Sequence, residues 1–262
     1  MDHREAGRYW DGNADAWTRL AHAGYDAYRD HLNTPAFLEM LPEVEGLRGL
    51  DIGCGEGHNT RLVAGRGARM TAADISERFI HHALCQEREQ PLGIRYLVAS
   101  AVELPFPEAC FDFITSFMCL MDIPEYDRAL AETYRVLKPG GFLQFSITHP
   151  CFDTAHRRKV RNEQGVPYAY ELGGYFTPRP SRITEWLFSA APPEATRDLP
   201  KFQVPHFPRT LSDWLNTLVE TGFVLERVSE PCPSDAALCE WPEIEDARIV
   251  AYFLHIRCRK PG

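Results

Sequence analysis

The chain has 262 residues, enough for one large α/β domain with an insertion and too few for two independent domains of ordinary size. Hydrophobic residues make up 44% and charged residues 25%, the balance of a soluble globular enzyme. The formal charge of -9 argues against a nucleic-acid backbone as the main partner, because such binders gain affinity from a basic face.

The opening stretch MDHREAGRYWDGNADAW lacks the apolar core of a signal peptide, and no run approaches the ~18 apolar residues of a membrane span. Eight cysteines show no C-x-x-C pair and no zinc-site Cys/His spacing. Free thiols in a reducing cytosol, a cytoplasmic location and no metal are expected. A local basic cluster, His156, Arg157, Arg158, Lys159 and Arg161, reads as a solvated loop or helix face, with contact to an acidic ligand as the alternative.

A helical arm is expected over residues 1–45. From Leu47 short apolar runs then alternate with amphipathic stretches. Strands are predicted at 47–53, 68–74, 93–100, 110–117 and 140–149, with helices at 59–67, 76–89 and 125–137 between them. Strands spaced by helices in this rhythm form a parallel sheet with helices on both faces, here a cofactor-binding core over 46–149. Residues 150–208 break the rhythm. They hold many prolines, Pro178 and Pro180 among them, and several aromatics, so they are expected to form an inserted cap that binds substrate. Residues 209–262 complete the sheet: a helix at 210–223 stopping at Gly222, then strands at 223–230 and 248–260 whose connection could form a hairpin.

The strongest local signal is DIGCGEGHNT at 51–60, where a strand runs into Gly53, Gly55 and Gly57 and then a helix. Glycine lets the chain turn sharply and lets a ligand approach the main chain, and the loop stands at the carboxyl edge of the sheet, where open α/β folds bind ligands. The spacing is G-x-G-x-G. His58 occupies the place of the third glycine of a dinucleotide fingerprint, and no Gly-Lys-Ser/Thr follows. Asp74 closes the second strand, where a carboxylate can accept hydrogen bonds from the ribose of a nucleoside lying on the loop, or can simply cap the next helix.

GLDIGCGEGHNT, the strand end AADIS, the segment ASAVELPFPEACFDFITS and the run RVLKPGGFLQFS together resemble the successive motifs of class I S-adenosylmethionine-dependent methyltransferases, over residues 47 to 148 in order. The resemblance implies a Rossmann-like, seven-stranded, mostly parallel sheet with an antiparallel last strand, and S-adenosyl-L-methionine as cofactor, leaving as S-adenosyl-L-homocysteine. It implies cofactor contacts at Gly53, Gly55, Gly57, Asn59, Asp74 and Ile75, and at Ser100, Ala101 and Val102. Here the chain departs from the family's pattern, with Ser100 and Ala101 where an acidic residue is usual.

The arm is similar to that of small-molecule members, in which Tyr9, Trp10 and Trp17 would close over the cofactor and Arg29 would meet its carboxylate. Phe117 would lie beside the cofactor. Tyr25 and Tyr28, three apart on one helix face, are candidate substrate contacts, with Tyr175, Trp186 and Phe188 from the cap. His149, after the fifth strand, and His206, before the last helix, are candidate general bases, with capping or packing as the alternative. The function so read is methyl transfer to an O, N or C acceptor on a small molecule by a monomer or homodimer. The alternatives are a non-catalytic cofactor-binding regulator and an NAD-type oxidoreductase.

Overall fold

The computed structural model describes residues 1–177 and 181–262, so that Pro178 and Pro180 lie outside the described residues. In chain order it holds α1 (His3–His22), a π-helical turn (Arg29–Asn33), α2 (Thr34–Met40), β1 (Arg48–Ile52), α3 (His58–Ala64), β2 (Arg69–Asp74) and α4 (Glu77–Glu89). Then come β3 (Arg95–Val98), β4 (Phe111–Phe117), α5 (Tyr126–Val136) and β5 (Leu137–Thr148). The cap contributes β6 (His156–Arg161), β7 (Pro167–Gly173), β8 (Arg182–Trp186), the single turn α6 (Pro193–Thr196) and β9 (Phe202–His206). The chain ends with α7 (Leu211–Thr221), β10 (Val224–Ser229), α8 (Asp235–Glu240) and β11 (Phe253–Arg259).

The main sheet runs β10-β11-β5-β4-β1-β2-β3, with β1 to β5 parallel and β11 antiparallel to both of its neighbours. This is the Rossmann-like, seven-stranded sheet that the family resemblance implies. Its order reverses between β1 and β4, so the carboxyl ends of these two strands flank a crevice. Leu130 of α5 and Trp214 and Leu218 of α7 bury one face against Leu50, Ile114 and Phe145. Phe37, Val63 and Ile80, from α2, α3 and α4, bury the other against Met70, Phe113 and Phe142. Burying both faces explains why β4 reads as an unbroken apolar run. Local signals set the helix ends. The Ser76 hydroxyl accepts from the Phe79 N–H to cap α4, and Thr210 and Asp213 form a capping box on α7, which stops at Gly222 in the left-handed conformation.

Two expectations need correction. The last strand starts at Phe253, not 248, because Pro242–Arg248 coils as a 3-10 helix that buries Asp246 under three tyrosine hydroxyls. Together with α8 it fills a long connection between β10 and β11, which pair antiparallel as the expected hairpin does. The basic cluster is neither loop nor helix but β6, paired antiparallel with β7. Its charges alternate between faces as strand periodicity requires: His156 and Arg158 meet Glu171, whereas Lys159 meets Asp246 and Arg157 lies over Tyr170 and Tyr252. The cap breaks the helix-strand rhythm as expected, being built on two antiparallel pairs, β6-β7 and β8-β9.

The arm lies between the sheet and the cap. Gly7 of α1 approaches Ile75 so closely that a Cβ would touch its side chain at 2.9 Å. Asp11 accepts from the Ser76 hydroxyl and the Arg78 N–H, fixing α1 to the start of α4. Asn13 exchanges two 2.9 Å hydrogen bonds with the backbone of Gln203 in β9, fixing it to the cap.

Candidate active site

The glycine loop leaves β1 with Gly53 and Gly55 at φ 68° and 56°, conformations that side chains rarely adopt. A Cβ on Gly53 would overlap the Cys119 thiol, whereas one on Gly55 would meet no atom within 4 Å and would project into the cavity above the loop. Asp74, buried at the end of β2, lines the same cavity. Its two carboxylate oxygens each accept one backbone N–H, from Gly55 and from Ser76, both at 2.9 Å, and each keeps a further lone pair. Burial pushes its carboxyl up to about 6 despite these bonds. Asp51, at the end of β1, is only 1% exposed and accepts the hydroxyls of Thr60 and Thr115 at 2.5 and 2.8 Å. Burial pushes it up to about 7, and no cation pairs with it among the described residues.

The cavity of about 690 Å³ continues from this loop past Ile75, Ser100, Ala101 and Phe117 on the sheet side to the arm and cap. Helical phase decides what the arm contributes. Ala6, Gly7, Trp10 and Trp17 face the cavity, whereas Tyr9, one step from Trp10, faces a separate surface groove with Arg8 and Gln203. Trp17, Trp186 and Phe188 meet edge to face with ring centroids 4.8 to 5.8 Å apart, joining arm and cap in one aromatic wall. Tyr25 and Tyr28 both reach the cavity, but α1 ends at His22, so they do not share one helix face. Tyr28 donates to Asp246 at 2.6 Å and stacks on Tyr252.

Several predicted site residues do structural work or stand apart from the cavity. Gly57 turns toward Tyr96, beneath the loop, and Val102 is buried in the core. Asn59 lines the cavity while accepting the Thr34 hydroxyl at 2.9 Å. Arg29 lines it too, but its guanidinium is engaged by Glu56 at 2.9 Å and Asp30 at 2.7 Å. The Tyr175 hydroxyl accepts the Leu211 N–H at 2.8 Å, holding the start of α7, and is not in the cavity wall.

The two histidines part company. His149 is 3% exposed and both ring nitrogens are used: Nε2 meets Glu230 at 2.7 Å and Nδ1 accepts the Cys151 N–H at 3.2 Å. Its ring caps the turn after β5 and offers the cavity no free lone pair, which removes the geometric basis for a general base there. His206 also lines the cavity, with Nε2 at 2.6 Å from an Asp153 carboxylate oxygen and a buried Nδ1 that has no hydrogen-bond partner among the described residues. A carboxylate on Nε2 holds the proton there and leaves the lone pair on Nδ1, the tautomer a base requires. Asp51, Asp153 and Asp246 had gone unassigned in the sequence. A strand-end position was the only signal for Asp51, and nothing local marked the other two.

A methyltransferase-domain family model matches residues 50–145, from β1 to β5. A crystal structure of an S-adenosylmethionine-dependent methyltransferase from Mesorhizobium loti shares 30% identity with this chain. It covers 86% of this chain and 96% of its own, with a TM-score of 0.69. The chain belongs to the S-adenosylmethionine-dependent methyltransferases. Malonyl-[acyl-carrier protein] O-methyltransferase of Pectobacterium atrosepticum is 34% identical over 135 residues, 51% of each chain. The ubiquinone/menaquinone biosynthesis C-methyltransferase of Vibrio vulnificus is 37% identical over 115 residues, 41% of this chain and 44% of its own. The match thus spans about half the length of these two relatives.

The wall of this methyltransferase fits its cofactor. The Gly55 backbone is open to a close ligand, Asp74 has acceptor capacity for hydroxyls, and Asp51 is a buried carboxylate that no cation among the described residues pairs with. A ligand bearing ribose hydroxyls and a positive charge matches these three features.

Proposed function

We propose that this protein methylates a small, largely apolar molecule, with His206 taking the acceptor proton. The single observation that carries the reading is continuity: the glycine loop and Asp74 share one cavity with the aromatic wall of Trp17, Trp186 and Phe188 and with the ring of His206. S-adenosylmethionine, when bound, supplies an already activated methyl group, so the protein's task is placement in a dry site. Gly53, Gly55, Ile75, Ser100 and Ala101 approach the nucleoside, Asp74 accepts from the ribose hydroxyls, and Asp51 offset the positive charge. Trp10, Trp17 and Phe117 exclude water, and Arg29, held by Glu56 and Asp30, completes the wall at the glycine-loop end.

A hydroxyl or ammonium acceptor must lose a proton. His206 Nδ1 takes it, while Nε2 keeps its own proton in the bond to Asp153, so the ring becomes imidazolium beside a carboxylate that stabilises it. The named relatives methylate oxygen in one case and carbon in the other, and the reading takes from them only the reaction class.

Incubating the protein with methyl-labelled S-adenosylmethionine and a panel of small aromatic acids, phenols and amines tests this. Label transfer with stoichiometric release of S-adenosylhomocysteine is expected. Tight S-adenosylhomocysteine binding without transfer to any member would favour a regulator, and binding of NADH in its place would favour an oxidoreductase.

A further inference from the structure

Strand β6 carries five basic residues, and four of them are spoken for. His156 and Arg158 share Glu171, Lys159 meets the buried Asp246, and Arg161 donates to the Gly165 carbonyl. Arg157 is different. It lines the cavity, its guanidinium carbon lies 4.4 Å from the Tyr252 ring centroid and 4.8 Å from that of Tyr170, and no carboxylate or carbonyl pairs with it among the described residues. Aromatic faces hold a guanidinium by its flat sides and leave the N–H groups at its edge free to donate.

The rings that hold it are themselves fixed. Tyr252 and Tyr170 both donate to Asp246, at 2.8 and 2.9 Å, and their hydroxyls lie 2.7 Å apart. Tyr28 of the arm donates to the same carboxylate and stacks on Tyr252 at a centroid distance of 5.0 Å. Arm, cap and the segment before β11 therefore meet in one hydrogen-bonded cluster that presents one unpaired cation to the cavity. At the glycine-loop end acidic groups outnumber basic ones, with Asp51, Asp74, Asp26 and Glu56 on the wall against Arg29, whose guanidinium is already paired with Glu56 and Asp26. An anionic group is repelled from that end and attracted to Arg157.

Resting on the methyl-transfer reading above, the geometry points to Arg157 as a carboxylate subsite: the acceptor is a small aromatic carboxylic acid whose carboxylate binds the Arg157 edge and whose ring lies along the Trp17–Trp186–Phe188 wall. A planar carboxylate matches the guanidinium fork bidentately. The subsite fixes which end of the acceptor is turned toward the methyl group.

The test uses the full-length protein saturated with S-adenosylhomocysteine, titrated with matched sets of one- and two-ring aromatic carboxylates, their primary amides and the corresponding aryl phosphates. At least one carboxylate should bind tenfold or more tighter than its amide. Arg157→Ala should abolish that preference while leaving S-adenosylhomocysteine affinity within twofold, and Arg157→Lys, which keeps the charge but not the fork, should retain only part of it. Equal binding of acid and amide, binding of neither, or a preference that survives Arg157→Ala overturns the subsite. So does a preference lost only in Arg182→Ala, the other cavity arginine without a carboxylate partner among the described residues. Selective binding of the phosphates would replace the carboxylate by a phosphate monoester. Failure to bind S-adenosylhomocysteine at all would instead overturn the methyl-transfer reading.

Discussion

Asp74→Asn separates the charge of this residue from its shape. Raising the carboxyl from 3.8 to about 6 makes its ionised form about 3 kcal/mol less favourable in the folded protein than in the unfolded chain. Because the folded value lies above the unfolded one, the favourable contribution is complete below pH 4 and is lost as pH rises through 6. Asparagine removes this cost at neutral pH, but its single carbonyl oxygen serves only one of the Gly55 and Ser76 N–H groups, and an orphaned N–H costs about 1–3 kcal/mol. The two effects nearly offset, so the variant should fold. Ligand binding should suffer instead. Two charge-assisted hydrogen bonds to the ribose, at ~1.5–3 kcal/mol each and partly replaced by water, correspond to a ~10- to 1000-fold loss of S-adenosylhomocysteine affinity. Calorimetry from pH 5 to 8 supplies the second signature. Wild-type affinity should fall as pH drops through 7 and 6, as Asp51 and then Asp74 take up protons, and the variant should keep only the Asp51 part of that dependence. A folded variant that binds within twofold of wild type, or a wild-type affinity flat between pH 7 and 5, would refute the ribose assignment.

Gly55→Val should abolish cofactor binding, because branched carbons would fill the space above the loop at a φ of 56°; retained calorimetric binding with a native circular-dichroism spectrum would make the loop structural only. Backbone hydrogen exchange in residues 9–22 should slow on S-adenosylhomocysteine binding more than in β1 to β5, since the arm forms one wall of the cavity. Equal protection with and without ligand would show that the arm does not close. Trp17→Ala should weaken cofactor binding modestly and lower the melting temperature, as it removes the ring shared by arm and cap. His149→Ala should leave turnover within a fewfold of wild type but cost about 1–3 kcal/mol of stability, because it removes a buried ring and leaves the half-buried Cys151 N–H without its acceptor. A 100-fold loss of turnover in a stable protein would reverse that assignment.

The parallel core was legible because β1, β2, β4 and β5 are apolar runs buried on both faces and the turns between them carry glycine or cap signals. The boundaries that slipped had competing tertiary causes. Residues 248–252 look like strand, yet the burial of Asp246 under Tyr28, Tyr170 and Tyr252 draws the preceding segment into a coil that no local pattern announces. The cap hairpins hid because β6 alternates charge against charge instead of apolar against polar. For the site, Gly53, Gly55 and Asp74 could be placed on the cavity from order along the chain alone, whereas Gly57 is turned toward Tyr96. The arm needed its helical phase, which puts Trp10 inward and Tyr9 outward. The histidines needed their partners: Glu230 and Asp153 lie 81 and 53 residues away from the rings they hold, and only the fold brings them together.

The measurement that bears most directly on the account is methyl transfer by His206→Ala, with S-adenosylhomocysteine affinity determined on the same preparation. The shared cavity and the ring held by Asp153 through Nε2 predict affinity within twofold of wild type and turnover of a hydroxyl or ammonium acceptor lowered by ~100-fold or more, since removal of a positioned base typically costs that much. Undiminished turnover in the variant would mean that placement alone drives the transfer and that the His206–Asp153 pair serves only to hold the cap.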